Sequence, residues 1–238
     1  MNKIKRLKSY IEHVIEKRKI NVFKTLYLNF SLFSFAQALR FPIICYGKVR
    51  IRCLEGEIRL KQLKKGIILI GIDHAGYRTR ATTTITLLEG SVINASGAVR
   101  ICQGCSVLVG TNAKLEFDDG VRLGDGAEII CKELISLGKQ VDVTWDCQIT
   151  DFSSHPMRNI KTGHCHSLTK PVKIADYCWI GNRTTIMPGT ILPERVIVAS
   201  NSLLNKDYIE KGIKPYSVIG GMPAKLLNTD VERTDYPE

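Results

Sequence analysis

A chain of 238 residues has room for one large domain, or for one domain with a small appendage. Its net charge of +11 favours acidic partners such as phosphates or anionic lipid, and eight cysteines with no secretory signal argue for a reducing compartment over a disulfide framework. Charge alone also raises nucleic acid, but no aromatic–basic interleaving or known module accompanies it, so no nucleic-acid partner is expected.

The charge is uneven. Residues 1–24 hold eight Lys or Arg against Glu12 and Glu16, leaving +6 of the +11 in that segment. Ile4, Leu7, Ile11, Val14 and Ile15 recur there at helical spacing, which predicts a basic amphipathic helix. Two readings stay open for it: packing on the side of an oligomer, or peripheral contact with an anionic membrane through residues 1–24. Residues 25–39 carry no charge, yet fifteen residues that include Asn29 and Gln37 are too short and too polar to span a bilayer. Residues 1–40 are therefore taken as one basic N-terminal segment, with no cleavage site after it and a cytoplasmic location expected, at the inner face of the membrane if that segment attaches.

From Phe41 to Tyr77 short alternating strands such as KVRIRCL and GIILIGI are broken by Gly and charged turns. The Thr-rich run 78–86 fits a loop or an edge strand. A six-residue rhythm then begins loosely, through Leu87, Ile93 and Val99, and slips by two residues several times up to Ile149. Such slips imply extra residues at corners, and Gly104, Gly110, Gly120, Gly124 and Gly138 suit tight corner geometry. Cys102 and Cys105 form a CxxC, but Cys105, Cys147 and Cys178 each follow an aliphatic by four residues, which makes them small core residues rather than ligands. No metal is expected.

The rhythm stops over residues 150–171, an interruption long enough to be an extruded functional loop. It resumes without a miss at Ile174, Ile180, Ile186, Leu192, Val198 and Leu204, with Cys178, Thr184, Thr190, Val196 and Ser202 in the small slots. A period of six fits neither a helix nor an alternating strand, so the repeat is itself the structural unit: one short strand and one corner, three to a coil. This β-helix spans residues 41–228, and residues 229–238 read as a polar, frayed tail.

The period together with TWDCQITD, the HP pair at His155, YCWIG and GGMPAK resembles the hexapeptide-repeat acyltransferases, and among them the polysaccharide and sugar O-acetyltransferases. The resemblance implies a mainly β fold, a left-handed parallel β-helix with an N-terminal helical segment and an extruded catalytic loop. It implies an acetyl-CoA-dependent O-acetyltransferase acting as a homotrimer on a sugar or lipid-linked oligosaccharide in polysaccharide or lipopolysaccharide assembly. By the same resemblance His155 is the general base, a neutral imidazole being suited to take a hydroxyl proton near neutral pH. Asp151 either orients that imidazole or caps a turn, and His164 and His166 are rival bases. Trp145 and Asp146 line the acceptor pocket. Trp179, Gly181, Asn182, Ala199, Ser200, Asn205, Lys206 and Lys225 contact acetyl-CoA. The family's Asp-x-Asp-aromatic-His run is incomplete here, with Ser153 at the second acidic position, and Asn228 stands where a further basic residue is usual. Serine, an amino-sugar nucleotide or an antibiotic are alternative acceptors, and a non-enzymatic carbohydrate-binding β-helix is the alternative of another class. A zinc carbonic anhydrase on this scaffold needs three histidines on the coils, and the coils have none.

Overall fold

The computed structural model describes residues 20–73 and 81–234, so most of the expected N-terminal amphipathic helix lies outside the described residues. Three sheets of nine, seven and six strands form the body. From Ile43 to Leu204 the strands pair in parallel three places apart in the chain; Val121–Leu123, for example, lies between Val99–Cys102 and Asp142–Val143. That every-third-strand order is a three-sided solenoid, the architecture expected from the repeat. Here the first, second and third sheets are those containing Trp179–Ile180, Thr185–Ile186 and Ile191–Leu192.

From Val172 to Leu204 the strands are two or three residues long and recur every six, with the second residue of each pair buried. Ile174, Ile180, Ile186, Leu192, Val198 and Leu204 fill the interior column, and all five small-slot residues are buried beside them. Burying one such aliphatic is worth about 1.5–3 kcal/mol, so the column is the main source of stability in these coils. The inward hydroxyls are satisfied: Thr190 Oγ1 donates to Met187 O at 2.7 Å, and Ser202 Oγ to Ala199 O at 2.6 Å. Cys105 and Cys178 are likewise fully buried, which is the core role expected of them.

From Val92 to Val143 many strands are four residues long while the links between them are no longer than those of the later coils, so the looser rhythm comes from longer strands and not from the extra corner residues expected. Gly120 turns one corner at φ +80°, a region open to glycine, whereas Gly124 is small because a Cβ there would meet Thr144 C at 2.7 Å. Thr82–Leu87 is an interior strand of the second sheet, paired with Lys48–Leu54 and Ser106–Val109. The Thr-rich run thus resolves into neither an edge nor a loop from residue 82 onward.

Two caps close the ends. At the N-terminal end an eleven-residue helix, α1 (Val22–Leu32), and a short α2 (Phe35–Ala38) lie over the first coil. The Asn21 carboxamide caps α1 by accepting from Lys24 N and ties it to the coil by donating to Gly47 O. No helix among the described residues is long and apolar enough to cross a membrane. At the other end Val218–Gly220 and Lys225–Asn228 form an antiparallel hairpin that ends the first sheet. Beyond it the tail is held rather than frayed as far as residue 234: Val231 N donates to Tyr216 O, Glu232 pairs with Arg195, and Arg233 pairs with Asp142.

Candidate active site

The interrupting segment is an arm, a distorted two-stranded hairpin that leaves the solenoid where the second sheet turns into the third. Lys170 N donates to Asp151 O at its base, Ser153 N to Leu168 O, His166 N to Met157 O, and Asn159 N to His164 O. Its tip is an Asx turn in which the Asn159 side chain accepts from Lys161 N and Thr162 N. Between the 153–168 and 157–166 pairings, three residues oppose one: Ser154, His155 and Pro156 face Ser167. This is a bulge larger than the usual two against one, and Pro156, which has no N–H to give a ladder, helps to hold it open. His155 sits at its centre. All residues from Ser154 to Leu168 are exposed, including Met157, Ile160 and Leu168, so the arm stands clear of its own coils. His164 and His166 lie further along the arm with their rings edge to face, 5.6 Å apart.

Asp151 is fully buried at the root of the arm. Its carboxylate accepts from Lys132 N, Glu133 N and Leu134 N at 2.7–2.8 Å. Of the two roles open to Asp151 in the sequence, its oxygens are committed to the cap: they tie the corner of the coil below to the arm's base. Cys131 Sγ lies 3.6 Å from the same carboxylate, and burial together with that negative charge pushes the thiol well above its ordinary range.

Most of the remaining candidates fall on or beside a different edge, where the first sheet turns into the second. Corner residues stack there coil on coil: Arg183 N donates to Trp145 O, and Asn201 N to Asn182 O. Trp145 is exposed and Asp146 turns the corner in the left-handed region at φ +57°. Above them come Gly181 and Asn182, then Ala199 and Ser200, with Ser200 Oγ donating to Asn182 Oδ1 at 2.6 Å. Gly181 is forced by closeness: a Cβ would lie 2.6 Å from both Ser200 N and Val198 O. The row therefore presents backbone and small side chains to solvent. Lys225 stands at its upper end, opposite Gly220 in the terminal hairpin.

The expected cofactor set is therefore split within one chain. Asn205 and Lys206 lie on the arm's edge, where Gly189 N donates to Lys170 O and Ile191 N to Lys206 O. Trp179 lies on the first sheet, half-buried, in register between Asp142 and Ile197. The run from Asn182 to Met187 turns at Arg183 and is strand at Thr185–Ile186, so the two edges are at most roughly 16 Å apart across the second sheet. Missed from the sequence were the apolar residues of the arm, Met157, Ile160 and Leu168, whose signal was their presence in an otherwise polar segment.

Other charged and thiol groups belong to the frame. Asp142 on the first sheet is bound by Arg122 through two nitrogens and by Arg233 Nη1 at 3.0 Å. Arg195 lies over the rings of Tyr177 and Tyr216. The CxxC thiols are both buried; burial raises Cys102 to about 12 and Cys105 further, which is the opposite of what a redox or ligating thiol needs. Among the described residues no group of three or more His, Cys, Asp or Glu is placed to hold a metal ion.

No family model matches the chain. It is 29% identical over 119 residues to WbbJ of Escherichia coli (strain K12), provisionally named a lipopolysaccharide biosynthesis O-acetyl transferase, covering 47% of this chain and 58% of that protein. A chloramphenicol acetyltransferase of Morganella morganii is 40% identical over 54 residues, 23% of either chain. The chain thus spans little more than half of the first relative and a quarter of the second. Among solved structures, the polysialic acid O-acetyltransferase OatWY superposes with a TM-score of 0.58 at 20% identity, over 80% of this chain and 92% of that one. The repeat, the three-sided coil and these likenesses together give the chain the left-handed β-helix fold of the hexapeptide-repeat acyltransferases.

Proposed function

We propose that the protein is an acetyl-CoA-dependent O-acetyltransferase that modifies a sugar hydroxyl in polysaccharide or lipopolysaccharide assembly, working as a homotrimer on the cytoplasmic side of a membrane. The observation that carries this reading is the separation of two half-sites. One edge displays His155 on an arm whose outer part, Ser154 to Leu168, is exposed; another, up to roughly 16 Å away, offers a row of small residues at which a thin pantetheine chain can lie. An arm with exposed apolar residues is marginal alone and gains stability on a neighbour's surface. Closed three-fold symmetry sets every arm against the next subunit's row, so each of the three sites is completed at once.

In such a site the acceptor oxygen attacks the thioester carbonyl carbon while His155 takes its proton. The tetrahedral intermediate then collapses, the C–S bond breaks, and the imidazolium returns the proton to the departing CoA thiolate. Trp145 offers an aromatic face to the sugar. Asn205 and Lys206 of the arm-bearing subunit and Lys225 of the row approach the cofactor from opposite sides, Lys225 toward its phosphates. The likeness to WbbJ and OatWY favours a saccharide over serine or an antibiotic as acceptor.

The deciding experiment is His155→Ala. A placed base is worth about 10² to 10⁴ in rate, so kcat falls by that factor while acetyl-CoA binding, measured by calorimetry, stays at the wild-type level. Unchanged turnover in His155→Ala, with loss in His164→Ala or His166→Ala, would move the base along the arm.

A further inference from the structure

The helix α1 is inverted relative to an ordinary surface helix. Its polar residues Thr25 and Asn29 are buried with Leu28 against the first coil, while Val22, Phe23, Leu26, Tyr27 and Phe30 point outward. Phe23 is 86% exposed and Phe35 of α2 is 71% exposed. Phe30 joins them, its ring 5.8 Å from that of Phe35. Ordinary surface helices put such side chains inside. Here the inner face is fixed by hydrogen bonds to the strand edge, so the aromatic face cannot roll inward without breaking them.

The described residues that build the same end are strongly basic. Residues 20–72 carry nine Lys or Arg against Glu55 and Glu57. Over residues 1–72 the count is sixteen against four, a net +12, whereas from residue 73 onward eighteen basic residues face nineteen acidic ones. Residues 20–72, which build the N-terminal end, thus carry nine basic residues against two acidic ones, a net +7, while the chain from residue 73 onward is close to neutral. Several of these cations border the aromatic face. Lys24 lies on α1 over the Tyr27 ring, and Arg40 follows α2. Lys48 follows Gly47, to which the α1 cap is bonded, and Lys64 and Lys65 precede Gly66, whose N–H donates to Phe41 O.

We infer that this N-terminal end face is a docking surface for an anionic lipid bilayer, with Phe23, Phe30 and Phe35 entering the headgroup boundary and the surrounding lysines and Arg40 meeting lipid phosphates. An apolar aromatic face ringed by cations is the chemistry of an interfacial helix. Charge complementarity separates this occupant from a second copy of the chain, whose matching face is equally basic and would repel it. The inference does not need the acetyltransferase reading. It draws on the trimeric reading for one effect only: cyclic symmetry turns all three end faces to the same side, so that they bind together with a gain in avidity.

The test is flotation of the full-length protein with phosphatidylcholine vesicles, with and without about one third phosphatidylserine, across a salt series. Expected is binding to the anionic vesicles alone, weakening as salt rises. Lys64→Glu and Lys65→Glu should each weaken it by about five-fold or more, and the double variant Phe23→Asp, Phe35→Asp should abolish it. Both phenylalanines are exposed, so the double variant should keep the wild-type melting temperature and transfer acetyl to a water-soluble acceptor as before. A wild type that ignores anionic vesicles at low salt overturns the inference, and so does a double variant that still floats. A double variant that floats normally but changes mass in light scattering would identify the face as a contact between copies instead.

Discussion

Asn29 and Ile43 are joined by two hydrogen bonds: the Asn29 side chain donates to Ile43 O at 2.7 Å and accepts from Ile43 N at 3.1 Å. A single carboxamide thus takes the place of the strand neighbour that the first coil lacks. Thr25 does the same two residues on, its Oγ1 accepting from Cys45 N at 3.0 Å. The edge of the first sheet is closed by side chains of α1, which removes an open template for strand addition.

Replacing Asn29 by Leu keeps the number and branching of the side-chain heavy atoms and strands both buried backbone groups of Ile43. An unsatisfied buried group costs about 1–3 kcal/mol, so Asn29→Leu should destabilise by about 2–4 kcal/mol in urea unfolding. It should also promote end-to-end association, visible as higher mass in light scattering. An Asn29→Leu protein as stable as wild type would show that the edge needs no cap.

Asp151 affords a sharper distinction. With both oxygens bonded to the Lys132–Leu134 amides, Asp151→Ala leaves three N–H donors of that corner without their acceptor and should lower stability by several kcal/mol, on the scale of about 1–3 kcal/mol per stranded group. The shape of the pH–rate profile should stay as in wild type, because the base keeps its surroundings while the arm loosens at its root. A shifted acid limb in a variant that remains folded would restore the orienting role.

The period of six makes the coils from Val172 to Leu204 legible in the sequence itself, because inward and outward positions there differ in size and polarity at every repeat. The arm was legible as an interruption but not as a hairpin, since its bulge at His155 arises from a pairing offset that composition does not record. The role of Asn29 was illegible for a related reason: a buried carboxamide has meaning only beside a strand edge fourteen residues away. The tail read as frayed because Glu232 and Arg233 find Arg195 and Asp142 only through the fold. The candidate cofactor residues were recognised one by one, yet their division between two edges is a property of coil stacking.

The tail carries its own prediction. Asp142 is nearly buried between Arg122 and Arg233, so Asp142→Ala leaves two partly covered guanidinium groups without their carboxylate. Removing one partner of a buried pair costs about 3–5 kcal/mol, and the partial exposure of both arginines brings the expected loss to about 2–3 kcal/mol. Arg233→Ala should cost less than Asp142→Ala and should expose the tail to proteolysis after residue 228. Equal protease resistance in Arg233→Ala and wild type would argue that Arg233 does not hold the tail.

Buried thiols set an alkaline limit. Burial raises Cys45, Cys102 and Cys178 to about 12 and Cys147 to about 11. The folded state keeps these protons after the unfolded chain, with thiol pKa about 8.5, has released them. Unfolding therefore releases protons at high pH, and the stability present below about pH 8.5 is lost as pH rises toward 11–12. Each thiol contributes up to about 1.4 kcal/mol per pH unit in that window. Urea midpoints should fall steeply between about pH 8 and about pH 10, and Cys147→Ala, Cys178→Ala should flatten that slope even if it is less stable at neutral pH. An unchanged slope in the double variant would assign the alkaline loss to other groups.

The shared-site reading makes a quantitative demand on mixtures. His155→Ala damages only the arm, and Ser200→Tyr, at an exposed corner, blocks only the row. Each should be inactive as a homotrimer. When the two are unfolded together in equal amounts and refolded, every site draws its arm from one subunit and its row from the next. An intact arm and an intact row then meet by chance in about one quarter of sites, so activity should return to about a quarter of the wild-type level. A site built within one subunit always contains one of the two lesions, and such a mixture would stay inactive. Failure to recover activity in a mixture shown by tagged pull-down to contain mixed trimers would therefore sink the inter-subunit model, whereas recovery near one quarter excludes a site confined to a single chain.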